Sequence, residues 1–389
     1  MKQFEIIFRI IFVAIVTFWM WTGKANAENA TPLDSIEFGL ITCSPHDEIY
    51  SLYGHTAIRF HNLSTGADHI YNYGVFNFKA PHFMLRFVFG LTDYELECIP
   101  AQWFWPYYQQ WGSQVTEQVL NLTNEEKAKL MHALYENSKR ENKTYRYNYF
   151  YDNCSTRPRN IIEANLDGEV IYQPRPDYTP TFREMIHEHT TRHPWAAFGN
   201  DILLGIKADA KTTLREQEFL PFNLQHDMAH ALVDRHGVKS PLVKECRVLV
   251  LPGVQMVKEE FPLTPTHCAA LLLAISLAIF IYEHFKRRTL YLFDALMMLL
   301  TGLAGCVLFV MIFSQHPTTS INLQILLLNP VSLFFIPTVI RHRRTCWFTI
   351  NMLCTCAFLI GGIWQDYAEG MEIVALCLLL RYWRHLNDK

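Results

Sequence analysis

The sequence lacks any excess of positive charge: 34 basic residues stand against 37 acidic ones, for a net charge of −3. That excludes the broad basic surface on which general nucleic-acid binding depends. No Cys-x-x-Cys pair offers the usual ligands of a structural zinc site. His226 and His230 stand one helical turn apart, but in His-Asp-Met-Ala-His rather than a zincin motif. A metal-dependent hydrolase built on them, or on His187, His189 and His193, competes with ordinary solvated helix histidines. Internal repeats and low-complexity tracts are absent. So are Lys and Arg in two C-terminal segments, 315–322 and 365–370. No cysteine directly follows Ala27, so the chain does not read as a lipoprotein itself.

Apolar residues, by contrast, are abundant, at 50% of the chain, and they concentrate in the C-terminal third. Residues 1–27 read as a secretory signal. Lys2 and Arg9 precede an apolar stretch, and Ala25-Asn26-Ala27 is a small-residue cleavage site; an uncleaved anchor is the alternative. Five membrane spans are predicted at 267–285, 290–313, 323–340, 345–364 and 368–383. The third is interrupted by Asn329-Pro330 and Pro337. Lys286-Arg287-Arg288, Arg341-His342-Arg343-Arg344, Arg381 and Arg384 fall on one side of this arrangement, and the segments without Lys or Arg fall on the other. The positive-inside rule then puts residues 28–265 outside the inner membrane and the C-terminus in the cytoplasm. The expected organisation is a signal peptide at 1–27, a periplasmic domain at 28–265 and an all-α membrane domain at 266–389.

Ten cysteines do not form an evident disulfide framework. Cys268, Cys306, Cys346, Cys354, Cys356 and Cys377 lie in or beside the apolar runs, where buried hydrophobe is the expected role. Cys43, Cys98, Cys154 and Cys246 lie in the polar half, and Cys43 and Cys98 are a candidate pair in an oxidising compartment.

The polar half reads as α+β. Strands are predicted at 36–42, 51–60 and 69–78, with a turn at 62–68 that makes the last two a hairpin. Thr123 and Glu126 form a capping-box signature for a helix running to about residue 141. An aromatic, strand-like run, Tyr145-Arg146-Tyr147-Asn148-Tyr149-Phe150-Tyr151, leads into Asp152-Asn153-Cys154 and a helix over 156–164. Further helices are predicted at 180–191, 195–208 and 220–235.

Cys154 therefore stands at a helix start, where the helix dipole favours thiolate. Asp152 and Asn153 offer capping oxygens beside it, and Arg157 and Arg159 add positive charge. A thiol enzyme also needs a base and a group to orient that base. His55, in Gly54-His55-Thr56 on the first strand of the hairpin, is the candidate base. Histidine on a strand, followed by cysteine opening a helix, is a circularly permuted papain arrangement. A structural cysteine and a core histidine would leave the same trace. For the third group, Asn72 faces opposite Tyr71 and Tyr73, with His69 and His61 as alternatives and a plain sheet-face asparagine as the competing reading. The aromatic segment 103–111 suits a membrane interface, an acyl groove or a core cluster equally well.

Three stretches together resemble the Lnb-type lipoprotein N-acyltransferases of Gram-negative bacteria. They are residues 43–59 around Gly54-His55-Thr56-Ala57-Ile58-Arg59, Tyr71-Asn72-Tyr73-Gly74-Val75-Phe76, and Tyr151-Asp152-Asn153-Cys154-Ser155-Thr156-Arg157. Trp195, Gly199-Asn200-Asp201, Leu204-Gly205, Asp209 and Phe219-Leu220-Pro221 resemble later motifs of that family. More distantly, the thiol domain resembles the lecithin:retinol acyltransferase group. The resemblance implies a thiol-dependent acyltransferase without a cofactor or metal, with His55 and Cys154 as its catalytic pair. Its expected partners are a membrane phospholipid or other acyl-lipid donor and diacylglyceryl lipoproteins. Asn72 is the expected third catalytic residue, and Asp152, Asn153, Arg157 and Arg159 are expected to bind substrate. A cell-wall cysteine peptidase or amidase, and a non-enzymatic membrane anchor protein, are the rival readings.

Overall fold

The structure is a computed structural model. It describes residues 33–387 except 78, 256, 258, 259 and 344. The predicted signal peptide lies outside the described residues.

Seven strands form one antiparallel sheet: β1 (Ile36–Cys43), β2 (His55–Asn62), β3 (Ala67–Val75), β4 (Asp93–Pro100), β5 (Val115–Leu120), β6 (Thr144–Arg146) and β10 (Val243–Val250), in the spatial order β10-β5-β1-β2-β3-β4-β6. The period-2 pattern explains why β1 is central. Phe38 and Leu40 face one hydrophobic cluster, and Ile41 and Cys43 face another on the opposite side. Helix α2 (Ala101–Gln110) covers the second face with Ala101, Phe104 and Tyr108. On the first face lie α3 (Asn124–Ser138) through Leu130 and Leu134, and α4 (Thr156–Ala164) through Ile162. The Thr123–Glu126 capping box is present at the start of α3. Between β3 and β4 runs the short α1 (Phe83–Val88).

Three expectations are revised here. The aromatic run is not a strand beyond Arg146: Asn148 and Asp152 bond each other's backbone, and the Asn148 side chain accepts from the amides of Phe150 and Tyr151, which closes a loop. The strand predicted from residue 51 begins only at His55, after a 3-10 turn at Ile49–Ser51 and Gly54 at φ +78°. Cys43 and Cys98 cannot pair. They lie on β1 and β4 with two strands between them, roughly 14 Å apart at ordinary strand spacing, and both are free thiols.

After α4, a second sheet of β7 (Glu169–Ile171), β8 (Leu232–Arg235) and β9 (Val238–Pro241) accompanies α5 (Phe182–Thr190), α6 (Pro194–Leu203), α7 (Leu214–Gln217) and α8 (Pro221–His230). The helix predicted over 220–235 gives way at residue 232 to β8, whose Val233 is fully buried.

The helical domain holds α9 (Pro265–Lys286), α10 (Tyr291–Ile312), α11 (Ser332–Ile340), α12 (Trp347–Gly361) and α13 (Met371–Leu386). Only α9 and α10, among the described residues, are both long and apolar enough to cross a membrane. Helix length therefore does not support five full spans. The expected third span is a 3-10 turn at Leu323–Leu326 and then α11, separated at Asn329-Pro330, because proline cannot supply the helical N–H. Of the six cysteines here, only Cys377 is buried, whereas Cys306, Cys346 and Cys356 are exposed on outward surfaces. Arg381, itself buried, bridges Glu283 and Asp294 at 2.8 and 2.6 Å and so joins α9, α10 and α13.

The two domains dock through the segments that lack Lys and Arg. Gly205 N donates to Thr318 O (2.9 Å) and Ile206 N to Ile321 O (2.8 Å). Asn322 Nδ2 donates to Ile202 O (2.8 Å), and Gln365 Nε2 to Leu204 O (3.1 Å). Gly205 is required at this junction, since a Cβ there would fall 2.1 Å from Ile321 O.

Candidate active site

His55 opens β2, and Asn72 lies on the neighbouring β3. The register Ile58↔Tyr71 sets Asn72 diagonal to His55 on the sheet face opposite Tyr71 and Tyr73. His55 Nε2 and Asn72 Oδ1 are 2.5 Å apart. With Nε2 so engaged, Nδ1 is the nitrogen left for the Cys154 thiol, which hydrogen-bonds His55. The structure thus brings together the three residues His55, Asn72 and Cys154.

Cys154 is held by its neighbours in sequence. Asn153 Oδ1 accepts from the amides of Ser155 and Thr156, both at 2.9 Å, and so caps α4 in place of the Ser155 side chain. Asn153 Nδ2 donates to Tyr149 O and Phe219 O, each at 2.9 Å. The Cys154 N–H takes no part in these capping bonds. Gly74, at φ +91° in the irregular end of β3, supplies the remaining room, because a Cβ there would sit 3.3 Å from Cys154 Cβ.

Opposing effects set the charge of this pair. Burial pushes the Cys154 thiol up. The charge and hydrogen bond of His55, the Thr56 N–H and the Ser155 hydroxyl outweigh it, so the thiol lies below its ordinary range. Burial pulls His55 down, but the charge and hydrogen bond of Cys154 and the bond to Asn72 raise it on balance. Both shifts move the pair toward thiolate and imidazolium. Thr56 and Ser155, whose hydroxyls are 3.0 Å apart, were not singled out from the sequence. Their signal was adjacency to His55 and Cys154.

The other expected site residues are placed differently. Arg159 is buried, with Nη1 donating to Glu218 Oε2 (2.7 Å) and to Arg215 O (2.8 Å), and with Asn160 Oδ1 taking the rest of its fork. It is a packing ion pair and not a free cation at the thiol. Arg157 pairs with Asp152 at 2.6 Å and stacks 3.6 Å from the centre of the Tyr145 ring. Asp152 and Arg157 thus pair with each other, and Asn153 spends its polar atoms on the helix cap, Tyr149 O and Phe219 O. None of the four lines the cavity beside Cys154. The His226 and His230 rings lie 4.6 Å apart, tilted by 36°, and no group of three or more His, Cys, Asp or Glu side chains placed to hold a metal ion occurs among the described residues.

That cavity measures about 1220 Å³. His55, Asn72 and Cys154 share its wall with apolar side chains such as Phe76, Phe83 and Tyr94. Part of the wall comes from the helical domain, through Met311 and residues 316–319. The segment carrying His316, expected to lie on the same side as the thiol, reaches the site directly.

Two family models match the chain: the Lnb N-terminal periplasmic domain over residues 24–186 and the Lnb transmembrane domain over residues 257–388. No curated protein and no solved structure matches it. The first match contains His55, Asn72 and Cys154, and the second contains α9 to α13. The chain is an Lnb-type protein, with a periplasmic N-terminal domain and a C-terminal membrane domain.

Proposed function

We propose that the protein is a lipoprotein N-acyltransferase working through a Cys154 thioester. The observation that carries this reading is the position of the His55–Asn72–Cys154 group on the wall of a largely apolar cavity completed by the membrane domain. A thiol that served only soluble peptides would gain nothing from a wall built by membrane helices. We read the His-then-Cys order as a permuted papain-like arrangement, with the catalytic domain in the periplasm and, from the positive-inside pattern, the C-terminus in the cytoplasm.

The cycle is ping-pong. Cys154 Sγ attacks the ester carbonyl carbon of a lipid. The resulting oxyanion is met by the Cys154 N–H, which the α4 cap leaves aside. The ester C–O bond breaks, and the departing alkoxide takes the proton held by the His55 imidazolium. The α-amine of a diacylglyceryl-cysteine then attacks the thioester and gives its proton to His55. The C–S bond breaks, which leaves an amide on the lipoprotein and regenerates the thiolate. Asn72 keeps the imidazole facing the sulfur throughout.

Incubating the full-length protein with a labelled phospholipid tests the first half. A hydroxylamine-sensitive acyl adduct is expected, and it should be absent from Cys154→Ala. Wild-type protein that forms no adduct overturns the thioester. Mass spectrometry of lipoprotein N-termini, with and without the protein, tests the acceptor. An unchanged N-acylation state overturns that assignment.

A further inference from the structure

The segment from α1 to Gly90 is apolar on the outside. Met84 is 69% exposed, Leu85 58%, Phe87 37% and Phe89 41%. A helix facing water would carry polar groups there. Its one cation, Arg86, is turned back, donating to Asp93 Oδ2 (2.7 Å) and to Leu91 O (3.2 Å). The segment is seated on the end of α10 nearest the sheet domain. Gln315 N donates to Phe89 O (3.1 Å), and His316 Nε2 donates to Phe87 O (2.8 Å). Just below, Phe309 and Phe313 point outward from the end of α10, a helix with the length and composition of a membrane span. The apolar face of α1 therefore continues a surface that lipid has to cover. The segment also borders the cavity: Phe83, Met84 and Phe87 line the same space as Cys154, and Leu85 and Phe89 face away from it.

We propose that residues 83–89 form a membrane-inserted lip, lying in the lipid leaflet on the sheet-domain side and forming the edge over which acyl chains pass from the bilayer into the cavity. The occupant of this face is the bilayer. Any partner seated on it would have to displace the lipid around the end of α10. The passage of acyl chains rests on the acyltransfer reading; the insertion of the lip does not.

The test uses full-length protein in vesicles of phosphatidylethanolamine and phosphatidylglycerol, doped with a phospholipid that carries a diazirine at the end of one acyl chain. After irradiation, adducts are mapped by mass spectrometry. Adducts are expected on peptides covering residues 84–89 as well as on α10. In a Leu85→Glu/Phe89→Glu variant, at two exposed positions that do not line the cavity, the lip adducts should fall at least tenfold, while α10 labelling and the rate of Cys154 alkylation by iodoacetamide stay unchanged. Labelling of α10 without labelling of the lip overturns the proposal. So does a lip shielded by cross-links to a second copy of the chain. Failure of acyl transfer alone would remove the Cys154 adduct and leave the lip labelled, so the two readings fail separately.

Discussion

At the sulfur, burial and charge pull in opposite directions, and the sign of the result is measurable. Alkylation by iodoacetamide follows the thiolate fraction. Because the net shift of Cys154 is downward, the midpoint of the alkylation rate against pH should lie below the usual thiol value of about 8.5. In His55→Ala the charge that outweighs burial is gone, so the midpoint should move upward; a midpoint that stays in place would remove His55 from the pair. The raised His55 closes the window from above: the imidazolium needed to protonate the leaving alkoxide disappears as pH climbs past it. Asn72 acts through orientation. Asn72→Ala should lower kcat about 10- to 100-fold with little change in KM, as expected for a misaimed base. A loss confined to KM would mean that Asn72 binds substrate instead.

Among the elements, the helical domain depends on a buried charge cluster more than on helix length. Glu283 on α9, Asp294 on α10 and Arg381 on α13 are buried together, and His385 Nε2 lies 2.7 Å from Asp294. Removing the arginine leaves the two buried carboxylates with only His385 beside Asp294 and Arg384 at 3.8 Å from Glu283. Arg381→Met should destabilise the protein by about 3–5 kcal/mol, seen as a lower thermal midpoint in detergent. A change under about 1 kcal/mol would show that water or lipid already reaches the cluster. The short α11 and α12 fit the same picture, because prolines and polar side chains interrupt the apolar runs.

For the whole molecule, the decisive junction is the contact between residues 202–206 and 315–322. Gly205→Val places a side chain where Ile321 O now lies. The expected result is faster hydrogen exchange in 315–322 and at least about a tenfold loss of acyl-enzyme formation from bilayer lipid. Iodoacetamide should still reach Cys154 at the wild-type rate, because the thiol, its base and its cap all lie within the sheet domain. Equal loss of both activities would mean that the junction holds the site itself.

The sequence by itself determined the local features. Apolar runs and Lys/Arg placement marked a membrane region with two sides, the Thr123 capping box marked a helix, and Cys154 before a helix marked a candidate thiol. These follow from composition and short-range periodicity, which tertiary contacts here did not override. Only the tertiary structure decided which residues meet. Asn72 reaches His55 because strand register sets it there, Cys154 reaches them because Gly74 has no side chain, and Arg159 turns to Glu218 because a buried carboxylate lies 59 positions along the chain. The helix read across 220–235 failed where β8 paired, and the interruption read at Asn329-Pro330 parts a 3-10 turn from α11. The cavity wall from residues 316–319 was beyond any local pattern, because it exists only where the helical domain packs against the sheet domain.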